Sequence, residues 1–405
     1  MPFKFTGPGS CSSGSCHGSV SPKSETRIFQ NEFSVWVTQD SHAKAFDTLQ
    51  SPVSKRMVKL LGLESSATSA PKCLACHALS PPNTLRGRTL EMSDGVSCES
   101  CHGPASQWLG PHSIAGGNHA QWVKVGMNDT KDLTQRAETC ASCHVGTKDK
   151  IVDHEMIAAG HPALVFEMES YSNAMPVHWK LPADAGSSAR AWSVGQAIQL
   201  REGLRQLARR VRSKQWPEYA ELDCFSCHHS LTPANDSWRQ AQGYSGRRPG
   251  APAWNASSWQ VLKIAAAGNG TGNSLGKDLD QLSVLVSRND ADRDQIATLA
   301  ERAATSADQL AKQMESRKWS RDDIAQLMRL IVRDGERISE MGTRSAEQAA
   351  LALQSLNIDY TRSGKQDKEL DASISGLFQQ LENPSAFQPK RFIAQLKKVG
   401  AALAH

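Results

Sequence analysis

Apolar residues are spaced differently in the two halves of the chain. From about residue 276 onward they recur at helical intervals. Ile296, Leu299, Ala303, Ala307, Leu310 and Met314 step by three or four and lay one stripe along a helix. Ser320 with Asp323 has the form of a capping box, and Ile324, Leu327, Met328 and Ile331 begin a second stripe behind it. Further helices are predicted near 344–356, 366–382 and 388–403. Upstream the pattern breaks into short segments. One clear helix is expected over 191–213, where Ile198, Leu200, Leu204, Leu207 and Val211 sit among arginines. Residues 232–275 turn polar and rich in Gly, Pro, Ser and Asn, as a linker or surface connection does. The expected organisation is therefore 1–235 with irregular loops, 236–275 as the connection, and 276–405 as an α-helical bundle or cap.

Composition narrows the function classes. The chain has 405 residues, 39% of them hydrophobic, and a mean hydropathy of −0.46, which leaves little apolar surplus for two or three domains. No apolar run approaches the roughly 18 residues of a membrane-spanning helix, so integral membrane function is not expected. Basic and acidic residues number 46 and 41, too even a balance for nucleic-acid binding, and clusters such as Arg209-Arg210 and Lys397-Lys398 read as solvated helix faces.

The cysteines are more pointed. All 10 fall into five close pairs, and a histidine follows each pair at once: Cys11/Cys16 with His17, Cys73/Cys76 with His77, Cys98/Cys101 with His102, Cys140/Cys143 with His144, and Cys224/Cys227 with His228. Four read C-x-x-C-H, the signature of c-type haem attachment, and the first is a C-x4-C-H variant. The spacing suits the chemistry. Two thiols add to the two vinyl groups on one porphyrin edge, while the next residue turns its imidazole under the ring to the iron. Zinc ribbons and redox disulfides also use cysteine pairs, but neither needs the histidine. With 13 histidines in 405 residues, five chance placements have a probability on the order of 10⁻⁸.

Five covalent haems account for the thin apolar content, because each porphyrin is itself a large apolar plate. They also change the charge. Counting each ferric haem with two ionised propionates as about −1 brings the formal +5 to about zero. Haem c is attached outside the bacterial cytoplasmic membrane, so the chain is expected to be periplasmic or otherwise exported. Its start, Met1-Pro2-Phe3-Lys4, lacks a charged region followed by an apolar stretch, which fits a signal peptide already removed or a start placed upstream.

The second axial ligand separates carriers from catalysts, since a c-type iron takes a histidine or methionine there or keeps the position open. His42 heads the segment S-H-A-K-A-F-D-T-L, expected to be helical. His112 follows the third motif closely in G-P-H. His161 lies between Gly160 and Pro162, and His154 would share its face if the segment between were helical. His178 stands between a Pro-Val pair and Trp179, and His229 directly follows a proximal histidine. These six are the candidate distal ligands. His119, in a glycine-rich stretch, and the terminal His405 are the expected spares; Met127, Met156, Met168 and Met175 are weaker candidates, better read as core.

Together the C-x4-C-H start, S-H-A-K-A-F-D-T-L, G-V-S-C-E-S-C-H-G-P, G-P-H and A-A-G-H-P-A-L-V-F-E resemble the multihaem cytochrome c-554 family over roughly residues 5–170. The resemblance implies a mainly α fold with long irregular haem-binding loops, close haem pairs, mostly bis-histidine irons and one five-coordinate iron. By position it would make His42, His112 and His161 distal ligands of the third, first and fourth haems and leave the second, at His77, open. A fifth motif and the helical region beyond 276 lie outside it. The function expected is electron transfer between periplasmic redox partner proteins, donor and acceptor unspecified, through five haems. The alternative is a haem enzyme acting on a small nitrogen or sulfur compound at one open iron; against it, no C-x-x-C-K motif occurs.

Overall fold

The structure, a computed structural model, describes residues 3–26, 28–114, 116–180, 186–228, 250–362 and 367–403. Among these residues helices and turns carry the fold; no strand forms, and β pairing is limited to the isolated bridges Phe5↔Arg86 and Leu222↔Trp254. The mainly α expectation therefore holds.

The chain divides into two compact units. The first is Met1–Ala163 with Ser172–Pro182, and the second is Leu164–Tyr171 with Ala183–His405. This differs from a division near residue 235, for a physical reason. The helix expected at 191–213 is the centre of the helical bundle, and so falls in the second unit together with the fifth cysteine pair.

The first unit is built from short helices: α1 (Glu32–Gln39), α2 (Pro71–His77), α3 (Cys98–His102), α4 (Leu133–His144) and α5 (His154–Ala159). It holds a small apolar cluster. Leu49, Ala67, Leu74 and Ala78 are buried together, with Phe46, Val58, Cys73 and Met92 packed around them. Polar pinning does much of the rest. The buried Glu99 carboxylate, between the two cysteines of the third motif, accepts from Thr6 N (2.8 Å), Gly7 N (2.7 Å) and Ala105 N (2.7 Å). One side chain thus ties the N-terminal segment and the following turn to α3, and charge-assisted bonds of this kind are stronger than neutral ones.

The second unit contains α6 (Ser187–Arg212), α7 (Ser257–Ala265), α8 (Gly270–Val286), α9 (Arg293–Ser316), α10 (Arg321–Arg333), α11 (Thr343–Arg362), α12 (Lys368–Gln379) and α13 (Pro389–Ala402). α6 packs along α9 and against α7 and α11. Trp192, Val194, Ala197, Ile198, Leu204, Leu207 and Val211 are fully buried, so α6 is covered on more than its predicted stripe, as a central helix is. The predicted stripe of α9 is buried throughout, and Ser320 and Asp323 form the expected capping box of α10. Residues 257–275 do not form a surface connection: Trp259, Val261 and Leu262 of α7 are buried, and Leu275 of α8 is too. Their apolar residues are diluted by Gly, Ser and Asn, which hides the helical period.

Residues 164–171 join this unit through a buried polar knot. The Glu167 carboxylate accepts from Glu169 N (2.8 Å), Ser170 N (2.8 Å) and Ser355 Oγ (2.7 Å) of α11. Burial outweighs these bonds and raises its pKa above the ordinary glutamate range. The folded state therefore holds a proton that the unfolded chain, with a glutamate pKa of about 4.3, has released. Stability is lost as pH rises from there through the elevated folded pKa. Glu167→Gln removes that dependence: the melting temperature of the variant relative to wild type, followed by far-UV circular dichroism, should climb as pH rises above about 4. A constant difference across that range would refute the assignment.

Candidate haem centre

Local structure presents each cysteine pair with its histidine. In α2, α3 and α4 the second, third and fourth motifs are helical, so cysteines three apart share a face and the histidine follows on the next position. Pro71 starts α2, and Asp132 caps α4 by accepting from Gln135 N at 2.7 Å. Gly103 ends α3 with φ 79°, and a Cβ there would lie 2.5 Å from the Gly126 carbonyl oxygen, so the chain can turn away from His102 only with glycine. The first motif spans its longer spacer with a turn in which His17 N donates to Cys11 O (3.3 Å).

The fifth motif follows the same logic in the second unit. Asp223 caps Cys224–Ser226, accepting from Ser226 N at 3.0 Å, and His228 N donates to Cys224 O at 2.8 Å. The segment is fastened by Asp223 N to Ala253 O (2.7 Å) and by the Arg210–Glu221 pair (2.6 Å). Cys224, Cys227 and His228 are exposed.

Three histidine pairs face each other across a constant gap. His17 and His112 have ring centroids 6.2 Å apart and planes within 2°. His42 and His144 are 6.2 Å apart at 87°, and His77 and His161 are 6.4 Å apart at 89°. Direct ring packing would not require this separation. Two imidazoles bound to opposite sides of one metal, with nitrogen–metal bonds of about 2.0 Å and ring nitrogens about 1.1 Å from the centroid, stand roughly 6.2 Å apart. The donor set therefore fits a six-coordinate haem iron between each pair. By position the resemblance would set His42 beside the third motif and His161 beside the fourth; the rings instead face His144 and His77, so the second motif has a histidine opposite it.

The remaining candidates are distributed as follows. His102 is pushed down to about 4, by burial first and then by His178, His17 and His112, which puts His178 in the neighbourhood of the third motif. His154 opens α5 behind its cap Asp153, and the helix ends at Gly160, so His154 and His161 do not continue on one helical face. The His119 Nε2 lies 2.9 Å from Asp129 Oδ1, which occupies that ring nitrogen. His42 sits in a turn ahead of a short helix at Ala45–Thr48 rather than in a helix. His229 lies outside the described residues.

The orienting partners were not among the residues singled out from sequence. His17 Nδ1 meets Glu32 Oε2 at 2.9 Å and His42 Nδ1 meets Asp40 Oδ1 at 3.0 Å. His77, His112 and His161 direct Nδ1 to the carbonyls of Ala45 (2.9 Å), Leu109 (2.6 Å) and Pro162 (2.7 Å). Each such bond leaves Nε2 for the iron and fixes the ring plane. The hydrogen bonds to Glu32 and Asp40 raise the pKa of His17 and His42. Asp40, two residues before His42, carries a sequence signal as an Asx turn; Glu32 has none.

The motifs also touch one another. The thiols of Cys11 and Cys98 interact, as do those of Cys76 and Cys143, and Cys101 lies within electrostatic reach of Cys140 and Cys143. Lys150 Nζ stands 3.1 Å from Cys143 Sγ.

Paired thiols with a following histidine, opposite a second imidazole at metal-binding distance, define a c-type haem protein. Residues 11–103 match the family described as cytochrome c554 and c-prime. Over 117 residues, 26% of this chain, the sequence is 31% identical to cytochrome c-554 of Nitrosomonas europaea and covers 48% of it, so the chain spans about half the length of that curated relative. No solved structure matches the chain. The matched N-terminal stretch is thus similar to the cytochrome c-554 family.

The ring planes set a spectroscopic expectation. Coplanar axial imidazoles split the two iron orbitals that overlap them, whereas crossed planes leave those orbitals nearly degenerate. The oxidised holoprotein should show one rhombic low-spin signal from the His17/His112 site and highly anisotropic signals from the two crossed sites in low-temperature EPR. The absence of any highly anisotropic signal would contradict the two crossed geometries.

Proposed function

We propose that the chain is an exported electron-transfer protein that binds five covalent haems c and passes electrons between two redox partner proteins. Cys11 and Cys16, Cys73 and Cys76, Cys98 and Cys101, Cys140 and Cys143, and Cys224 and Cys227 would form the thioethers. His17, His77, His102, His144 and His228 would be the proximal ligands, with His112, His161 and His42 opposite the first, second and fourth and His178 serving the third. The observation that carries the reading is the repeated 6.2–6.4 Å opposition of imidazoles. A closed axial position favours electron transfer over chemistry on a bound small molecule.

The thiol contacts support a spatial order first, third, fourth, second for the motifs of the first unit. Haem iron supplies a one-electron ferric/ferrous couple, and the protein's share is ligand identity, ring orientation and burial. Periplasmic residence follows from where thioether attachment takes place, and no described helix is long and apolar enough to cross a membrane.

Pyridine haemochrome should report five haems per chain, and acid acetone should leave them attached. In the oxidised protein the four irons of the first unit should be low-spin, and His161→Ala should turn one of them high-spin while all five haems are kept. A wild-type high-spin iron in this unit that responds to nitric oxide or hydroxylamine would instead make the protein a haem enzyme.

A further inference from the structure

The three opposed imidazole pairs differ in the charge of what holds them. At the His77/His161 site both Nδ1 atoms face neutral carbonyls, those of Ala45 and Pro162. At the other two sites one imidazole faces a carboxylate: Glu32 on His17, and Asp40 on His42. Both anions are held firmly. The Glu32 side chain is 14% exposed, and its second oxygen accepts from Phe29 N (2.8 Å) and Gln30 N (3.2 Å). The Asp40 side chain is 4% exposed, and its Oδ1 accepts from both His42 N (2.9 Å) and His42 Nδ1.

We propose that Glu32 and Asp40 are redox-tuning residues, whose fixed negative charges hold the irons at His17/His112 and His42/His144 at lower reduction potential than the same sites would have with neutral partners, a bias absent from the His77/His161 site. The inference rests on the axial assignments proposed above. An iron bound by two neutral imidazoles gains one positive charge on oxidation, and an anion on the outer nitrogen of one imidazole stabilises that form over the reduced one. Burial makes the effect stronger than at a surface. Lys150, beside Cys143, is a cation near the fourth motif and acts in the opposite direction, but it is unchanged in the variants below. Asp40 is also within electrostatic reach of Cys101, so a smaller effect extends to the third motif.

Asp40→Asn is the direct test, because a single amide oxygen can keep both bonds that Oδ1 accepts while the charge is lost. In a redox titration of the five-haem protein followed by EPR, one low-spin couple should move upward so that its reduced-to-oxidised ratio at fixed potential rises about tenfold, equivalent to about 59 mV for one electron. Asp40→Glu, which keeps the charge, should leave that couple near its wild-type value. Glu32→Gln should raise a different couple, and neither change should shift that of the His77/His161 iron, identified by the signal that His161→Ala converts to high spin. No shift in Asp40→Asn, or equal shifts in the Asn and Glu variants, overturns the proposal. Should Asp40→Asn lose its haem, Glu32→Gln decides by the same criterion at the first site. His42→Ala separates the two layers of argument: an unchanged low-spin count would remove the axial assignment itself, whereas a new high-spin iron with no potential shift in Asp40→Asn would remove only the tuning role.

Discussion

The separation of opposed imidazoles, the width that a metal ion between them would take, is the constraint that recurs through the first unit. Three times the chain brings histidines from distant segments to the same separation, and each time a backbone carbonyl or carboxylate on the outer nitrogen fixes the ring. The small apolar cluster around Leu74 cannot by itself order so many short helices. Porphyrins bound as proposed would supply further apolar surface, and the histidine pairs would determine where that surface lies. Glu99 fits the same scheme, because it lies inside a cysteine pair and pins three backbone amides from segments on either side.

The second unit rests on different physics. Its core is made of side chains, with α6 surrounded by α7, α9 and α11, and polar groups such as Glu167 with Ser355 and Arg201 with Asp308 pair within it. The fifth cysteine pair is mounted on this bundle through Arg210, Glu221 and Ala253. Four motifs thus lie in a unit of short helices, and one lies in a unit packed around its own side chains.

What could be read from the sequence divides along the same line. Cysteine pairs and proximal histidines are legible because thioether attachment confines its residues to one short segment, and the stripes of α9 and α10 are legible because helical burial is periodic. The partner of a distal histidine is set by three-dimensional closure. His42 and His161 could be named as candidates, but the rings they oppose, His144 and His77, follow only from the fold. The boundary near 235 and the connection at 236–275 were drawn from composition. α6 had the right stripe, but nothing in it said which half of the chain would cover its other faces, and α7 carries its buried Trp259 and Leu262 in a sequence too rich in small polar residues to show a period. Glu32, far from His17 in sequence, had no local signature.

The division of the chain has a consequence for biogenesis. The first unit takes in residues 1–163, leaves out 164–171, and is completed by 172–182, the segment that carries His178 and Lys180. A polypeptide delivered from its N-terminus therefore presents four attachment motifs to the haem-loading machinery before the closing segment of their unit has emerged. On the proposed function, the thiols would stay reachable during the interval in which vinyl groups are added. Closure comes afterwards, when Lys180 can reach the carbonyl of Ser24. The order of residues along the chain would then double as a schedule for assembly, with cofactor insertion ahead of final folding.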